Sequence, residues 1–104
     1  MAQPIFKLVL TRGYTEAYYQ LSKEEQDHLG KQVYDVVTGL GAKLVGPFYN
    51  CRWSNDKYDS FFLMEYPDID AAIADTAAVD QLGLFRYMRS ETILGIATPE
   101  DTPA

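Results

Sequence analysis

The sequence predicts an α+β domain whose elements follow the order βαββαβ. Three observations carry that reading. Residues 4–12 alternate like a strand, and two runs within 42–68 are rich in Val, Phe, Tyr and Trp, which suit a pleated, half-buried surface. Two other stretches place helical periodicity behind a residue suited to an N-cap, Ser22 and Asp68. Each half of the chain then reads strand, helix, strand.

The first strand covers residues 4–12. Phe6, Leu8 and Leu10 form one apolar set, alternating with Lys7, Val9 and Thr11. Residues 13–21 contain Tyr14, Tyr18 and Tyr19 and read as an ordered loop, because three rings in water would leave much apolar surface exposed. Ser22-Lys23-Glu24-Glu25 has the form of a capping box. The helix behind it runs from Lys23 to Leu40, with Leu29, Val33, Val36, Val37 and Leu40 as its buried stripe and Gly39 and Gly41 as its stop.

The hairpin at 42–68 is the centre of the chain. Ser54, Asn55 and Asp56 are its turn residues. A five-residue loop sets Trp53 opposite Asp59, Cys51 opposite Phe61, Tyr49 opposite Leu63 and Pro47 opposite Glu65. A four-residue loop would exchange the two faces. Pro47 lacks a donor, which places its strand at a sheet edge. Pro67 ends the third strand. Asp68 then caps a helix with a narrow stripe of Ile69, Ala72, Ile73 and Ala77, broken at Gly83. Residues 84–88 form a short turn or a lead-in to the last strand, at 90–97. Residues 98–104 read as a loose tail outside the single domain of residues 4–97.

This order is the split βαβ pattern of ferredoxin-like domains. Right-handed crossovers put both helices on one face of a four-stranded antiparallel sheet with strand order 4-1-3-2. The other face is then open. On the five-residue register it carries Val9, Tyr49, Trp53, Phe61 and Leu63. A patch of that kind marks an interaction surface. A second copy packed by two-fold symmetry is its simplest cover, so the expected partner is the chain itself, as a homodimer.

Composition narrows the function classes. The 104 residues are 47% hydrophobic and 23% charged, as in an ordinary globular domain. A net charge of −6 gives no basic stripe for nucleic acid and no polybasic membrane contact. No apolar run approaches a membrane span, and the N-terminus lacks a signal-peptide pattern, so the expected compartment is the cytoplasm. One cysteine, Cys51, and one histidine, His28, cannot build a conventional metal site. There is no Gly-rich phosphate loop, and no cofactor is expected. The eight tyrosines fit an aromatic core and rim, or a ligand cavity.

The element order, the length and the apolar second face resemble the dimeric α+β barrel superfamily, which includes antibiotic-biosynthesis monooxygenase-like, stress-responsive barrel and EthD-like domains. Cys51-Arg52-Trp53, Glu65-Tyr66-Pro67-Asp68-Ile69, Phe85-Arg86-Tyr87 and Leu94-Gly95 resemble a small bacterial family of uncharacterised domains within it. The resemblance covers residues 4–97. It implies a dimeric barrel, with pockets between sheet and helices or within the barrel. It does not choose between catalytic and non-catalytic roles.

The candidate site residues each carry two readings. Arg52, with Asn50, points to the helix side and either clamps a carboxylate or enolate or pairs with Asp59 or Glu65. Trp53 stacks on an aromatic ligand or packs in the dimer. Glu65 is a general base if burial raises its pKa, or pairs with Lys7 across strands. His28 is an acid–base group at a cavity mouth, or a surface residue near Glu24 and Gln32. Tyr87 and Arg86 line a cavity end, or Arg86 only binds the last carbonyls of the helix before it. Two functions follow: a small-molecule-binding dimer, with an aromatic or polyketide-like ligand, or a cofactor-independent enzyme acting on such a molecule.

Overall fold

The structure is a computed structural model, and it describes residues 3–97. The tail expected over 98–104 lies outside the described residues. The elements are β1 (Ile5–Tyr14), α1 (Glu16–Tyr19), α2 (Lys23–Gly39), β2 (Lys43–Asn50), β3 (Ser60–Tyr66), α3 (Ile69–Gln81), α4 (Leu84–Tyr87) and β4 (Met88–Gly95). The strands form one antiparallel sheet in the order β2-β3-β1-β4, the predicted 4-1-3-2 read from the other edge.

Local chemistry sets the element ends. Ser22 Oγ accepts from the Glu25 backbone N–H at 3.1 Å, and Glu25 Oε1 accepts from the Ser22 N–H at 2.9 Å. The capping box therefore satisfies two donors that α2 would otherwise leave open. Asp68 Oδ1 accepts from the Ala71 N–H at 2.8 Å and starts α3. The expected tyrosine loop is a continuation of β1 followed by the single turn α1, and residues 84–87 form the single turn α4.

Register assigns the two faces. Lys7, Val9 and Thr11 of β1 lie opposite Met64, Phe62 and Ser60 of β3 on the side covered by α2 and α3. Phe6, Leu8 and Leu10 lie opposite Glu65, Leu63 and Phe61 on the open side. Val9 is thus on the helix side and buried, and the apolar residues that β1 gives to the open face are Phe6, Leu8 and Leu10. Ile93 of β4 and Val45 and Tyr49 of β2 extend that open surface.

The hairpin register differs from the five-residue-loop expectation by two residues at Tyr49 and by four at Val45. Tyr49 faces Phe61 and Val45 faces Leu63. The longer loop between Asn50 and Ser60 accounts for the first two, and β2 itself for the rest, because Gly46 takes φ +77° and two extra residues lie between Val45 and Tyr49. Pro47, which has no N–H for the ladder, sits in this bulge. A slip of two residues keeps each side chain on its face. Tyr49 and Phe61 accordingly stack, with ring centroids 4.9 Å apart.

Residues 51–59 form the loop, so Trp53 is a loop residue and is 85% exposed. Side chains hold this loop: Trp53 Nε1–H donates to the Asn50 carbonyl at 3.1 Å, and Asn55 Oδ1 accepts from the N–H groups of Lys57 and Tyr58 at 2.7 and 3.0 Å.

The core sits where β1 begins and β3 ends, around Ala42, Tyr66 and Ala72, with Val37 and Met64 packed against them. The stripe expected on the second helix is rotated. Ala72, Asp75 and Val79 face inward, while Ile69 and Ile73 are exposed. Small residues on the inner side bring α3 close to β1, where Lys7 needs a counter-charge.

Candidate functional site

A cavity of about 720 Å³ lies between the helix-covered sheet face and the helices, a size suited to a small organic ligand. Sheet residues such as Val9, Phe62 and Met64 form its floor, and Leu29, Val33 and Val37 of α2 form its roof. Aromatic rings surround part of it. Tyr14 and Tyr18 stack with centroids 3.8 Å apart and planes 11° apart, and Phe48 meets Phe62 at 4.7 Å. Burial pushes the Tyr14 hydroxyl pKa up, and the Tyr18 hydroxyl beside it adds to the effect.

One polar cluster interrupts this apolar wall. Lys7 Nζ donates to Asp75 Oδ2 at 3.2 Å and to Thr76 Oγ1 at 3.3 Å. The Tyr66 hydroxyl donates to the same Asp75 oxygen. The Lys7 ammonium also lies 5.3 Å from the centroid of the Tyr66 ring. The Lys7 and Asp75 side chains are 9% and 6% exposed. Burial, reinforced by the hydrogen bond to Asp75, pushes the Tyr66 hydroxyl far above its ordinary range and keeps it neutral. The second carboxylate oxygen, Asp75 Oδ1, is buried and has no hydrogen-bond partner among the described residues. The arrangement is an ion pair of zero net charge, with one acceptor unused, in the wall of a cavity.

Sequence places these groups by simple periodicities. Lys7 shares a face with Val9 because both are odd positions of β1, and that face is the covered one. Asp75 lies three residues after Ala72 and four before Val79, on the inner stripe of α3. Tyr66 closes β3 immediately before Pro67 and the Asp68 cap. Counting only large apolar residues on α3 selects Ile69 and Ile73 and turns Asp75 away. An acid on the alanine-lined side of α3, with a lone lysine in the facing strand, is the signal that would have found the cluster.

The residues predicted from sequence lie elsewhere. Arg52 is exposed in the hairpin loop and pairs with Asp59. Asn50 ends β2, and its Oδ1 accepts from the Arg52 N–H at 3.0 Å. Glu65 lies on the open sheet face, opposite Phe6 and Lys43. It does not pair with Lys7, whose partner is Asp75, because adjacent positions of a strand face opposite sides. His28 and Tyr87 come together around a second hollow of about 450 Å³, shared with Glu24, Glu25 and Gln32. His28 is exposed there. None of Asn50, Arg52, Trp53, Glu65, His28 and Tyr87 lines the larger cavity. No cluster of three or more His, Cys, Asp or Glu among the described residues could hold a metal ion. No helix among them is long and apolar enough to cross a membrane.

No protein-family model matches the chain, and no curated protein matches it. Solved structures do. One is a protein of unknown function from Rhodopseudomonas palustris, 21% identical, with a TM-score of 0.63 over 95% of this chain and 85% of the other. Another is SnoaB, a cofactor-independent oxygenase from Streptomyces nogalater, 14% identical, with a TM-score of 0.50 over 98% of this chain and 100% of the other. Likeness at these identities concerns fold. The chain has a ferredoxin-like α+β fold, the fold that the resemblance in its sequence implied.

Proposed function

We propose that the chain is a homodimeric small-molecule-binding protein, whose ligand is a small aromatic or polyketide-like molecule held between sheet and helices. One observation carries the reading: a cavity of about 720 Å³ with largely apolar and aromatic walls and one buried polar cluster. Binding sites of this kind combine apolar surface with a few fixed polar groups. The dimer is supported by the open sheet face, where Leu8, Leu10, Phe61 and Leu63 adjoin the exposed Tyr49 and Ile93.

The test is a thermal-shift screen of aromatic compounds against the native protein and a Val33→Trp variant, in which the indole projects into the cavity from its roof. A ligand raises Tm in proportion to its excess over Kd. Aromatic compounds are expected to stabilise the native protein and not the variant. A screen without hits, or equal shifts in both proteins, contradicts the reading.

Asp75 favours a second reading, a cofactor-independent enzyme of the monooxygenase, isomerase or lyase type. Asp75 is the one carboxylate among the described residues that line the cavity, and a carboxylate there is a candidate proton acceptor. SnoaB, which shares the fold, is a cofactor-independent oxygenase. Turnover of a bound compound that is lost in a folded Asp75→Asn variant would support this reading, and turnover unchanged in that variant would exclude Asp75 as the acceptor.

A further inference from the structure

We infer that the cavity admits uncharged molecules and turns away the same molecules in carboxylate form. The inference rests on the binding function proposed above and names the charge of the ligand at that site. Among the described residues that line the cavity, Lys7 and Asp75 are the only charged ones, and the rest are apolar or carry neutral hydroxyl or amide groups. Neither charge is free to meet a ligand. Lys7 Nζ donates to Asp75 Oδ2 at 3.2 Å and to Thr76 Oγ1 at 3.3 Å. The Tyr66 hydroxyl donates to the same carboxylate oxygen, and Asp75 Oδ1 has less than 1 Å² of accessible surface. The pair is closed on itself.

Such a cavity has no counter-charge to offer. A carboxylate that enters it gives up its water, and no Arg, His or unpaired Lys stands among the described wall residues to take the place of that water. Drawing Lys7 over to the ligand would leave Asp75 buried without its partner, so one unpaired charge remains in either case. Turning the carboxylate outward does not remove the penalty. The exposed Tyr34 and Phe48 mark the side on which the cavity meets solvent. An anion held there keeps its ring short of the apolar walls around Val9, Val33 and Phe62. The net charge of −6 on the chain acts in the same direction from a distance. An ester of the same acid carries no charge and buries its ring without these costs.

The test compares methyl 2-naphthoate with 2-naphthoate, which share a ring system and differ in charge. Dissociation constants are measured near neutral pH for the native protein and for Val33→Trp, at low salt and in about 0.5 M sodium chloride, where the Debye length is below about 5 Å. The native protein is expected to bind the ester at least about ten-fold more tightly than the anion at both salt concentrations. Val33→Trp is expected to lose most of the ester affinity and with it the preference. Equal affinities in the native protein, or tighter binding of the anion, overturn the exclusion of charge while leaving the cavity function standing. A preference that disappears in the higher salt belongs to the net charge of the chain and overturns the cavity as its source. A preference of unchanged size in Val33→Trp does the same. Failure of both compounds to bind the native protein overturns the aromatic-binding function as well.

Discussion

Lys7 and Asp75 are each more than nine-tenths buried, and neither has another charged partner among the ion pairs of the described residues. The value of such a pair lies less in its net stability than in the cost of leaving one member alone. Asp75→Ala should therefore destabilise the protein by about 3–5 kcal/mol, whereas Lys7→Met/Asp75→Leu should lie within about 1–2 kcal/mol of the native protein. Denaturant unfolding of the single and double variants measures the difference. If the double variant loses as much as the single one, the ion pair is not what holds these two side chains.

Tyr66 gives a second prediction. Its folded pKa is raised above the ordinary 10.0, so its contribution to stability is complete below about pH 10 and is lost as pH rises above that value. Above pH 10 the unfolded chain ionises this tyrosine and the folded one does not. The native protein should lose stability along that alkaline limb, and Tyr66→Phe should flatten it. Tyrosinate absorbance should show one fewer late-ionising ring in the variant.

At the scale of elements, the α2 capping box is the clearest link between four consecutive residues and a structure. Ser22→Ala removes the acceptor for the Glu25 N–H and should cost about 0.5–2 kcal/mol in denaturant unfolding. Restoring the acceptor with Ser22→Asp should recover most of that loss. The same scale shows what the sequence reveals and what it hides. Strand order, the two long helices and both caps follow from periodicity and local hydrogen bonding. The hairpin register does not, because it depends on a bulge at Gly46-Pro47 and on side-chain bonds that lengthen the loop to residues 51–59.

The site was legible only in outline. A cavity between sheet and helices follows from the fold, and its aromatic walls follow from the tyrosine content. The Lys7–Asp75–Tyr66 cluster joins residues 68 positions apart, and its acid lies on the face of α3 that large apolar residues do not mark. Arg52, Asn50 and Trp53 drew attention by residue type, yet the loop satisfies them locally with Asp59, with the Arg52 amide and with the Asn50 carbonyl.

At the scale of the molecule, a single sheet layered with helices on one side leaves the opposite face without cover. Leu8, Leu10, Phe61 and Leu63 are half-buried by their own neighbours, and Ile93 and Tyr49 remain 58% and 45% exposed. Apolar surface of this extent is most simply removed from water by an identical surface on a second copy. Placing a charge at its centre with Leu8→Asp should separate the copies. That substitution leaves the cavity lining on the other face intact, so ligand-induced thermal shifts should persist if the separated chain stays folded.

The most direct test of the account is the mass of the native protein in solution, measured by sedimentation equilibrium at micromolar concentration. The account predicts a species of twice the 11.8 kDa chain mass that falls to the single-chain mass in Leu8→Asp. A native protein that sediments as one folded chain would contradict it.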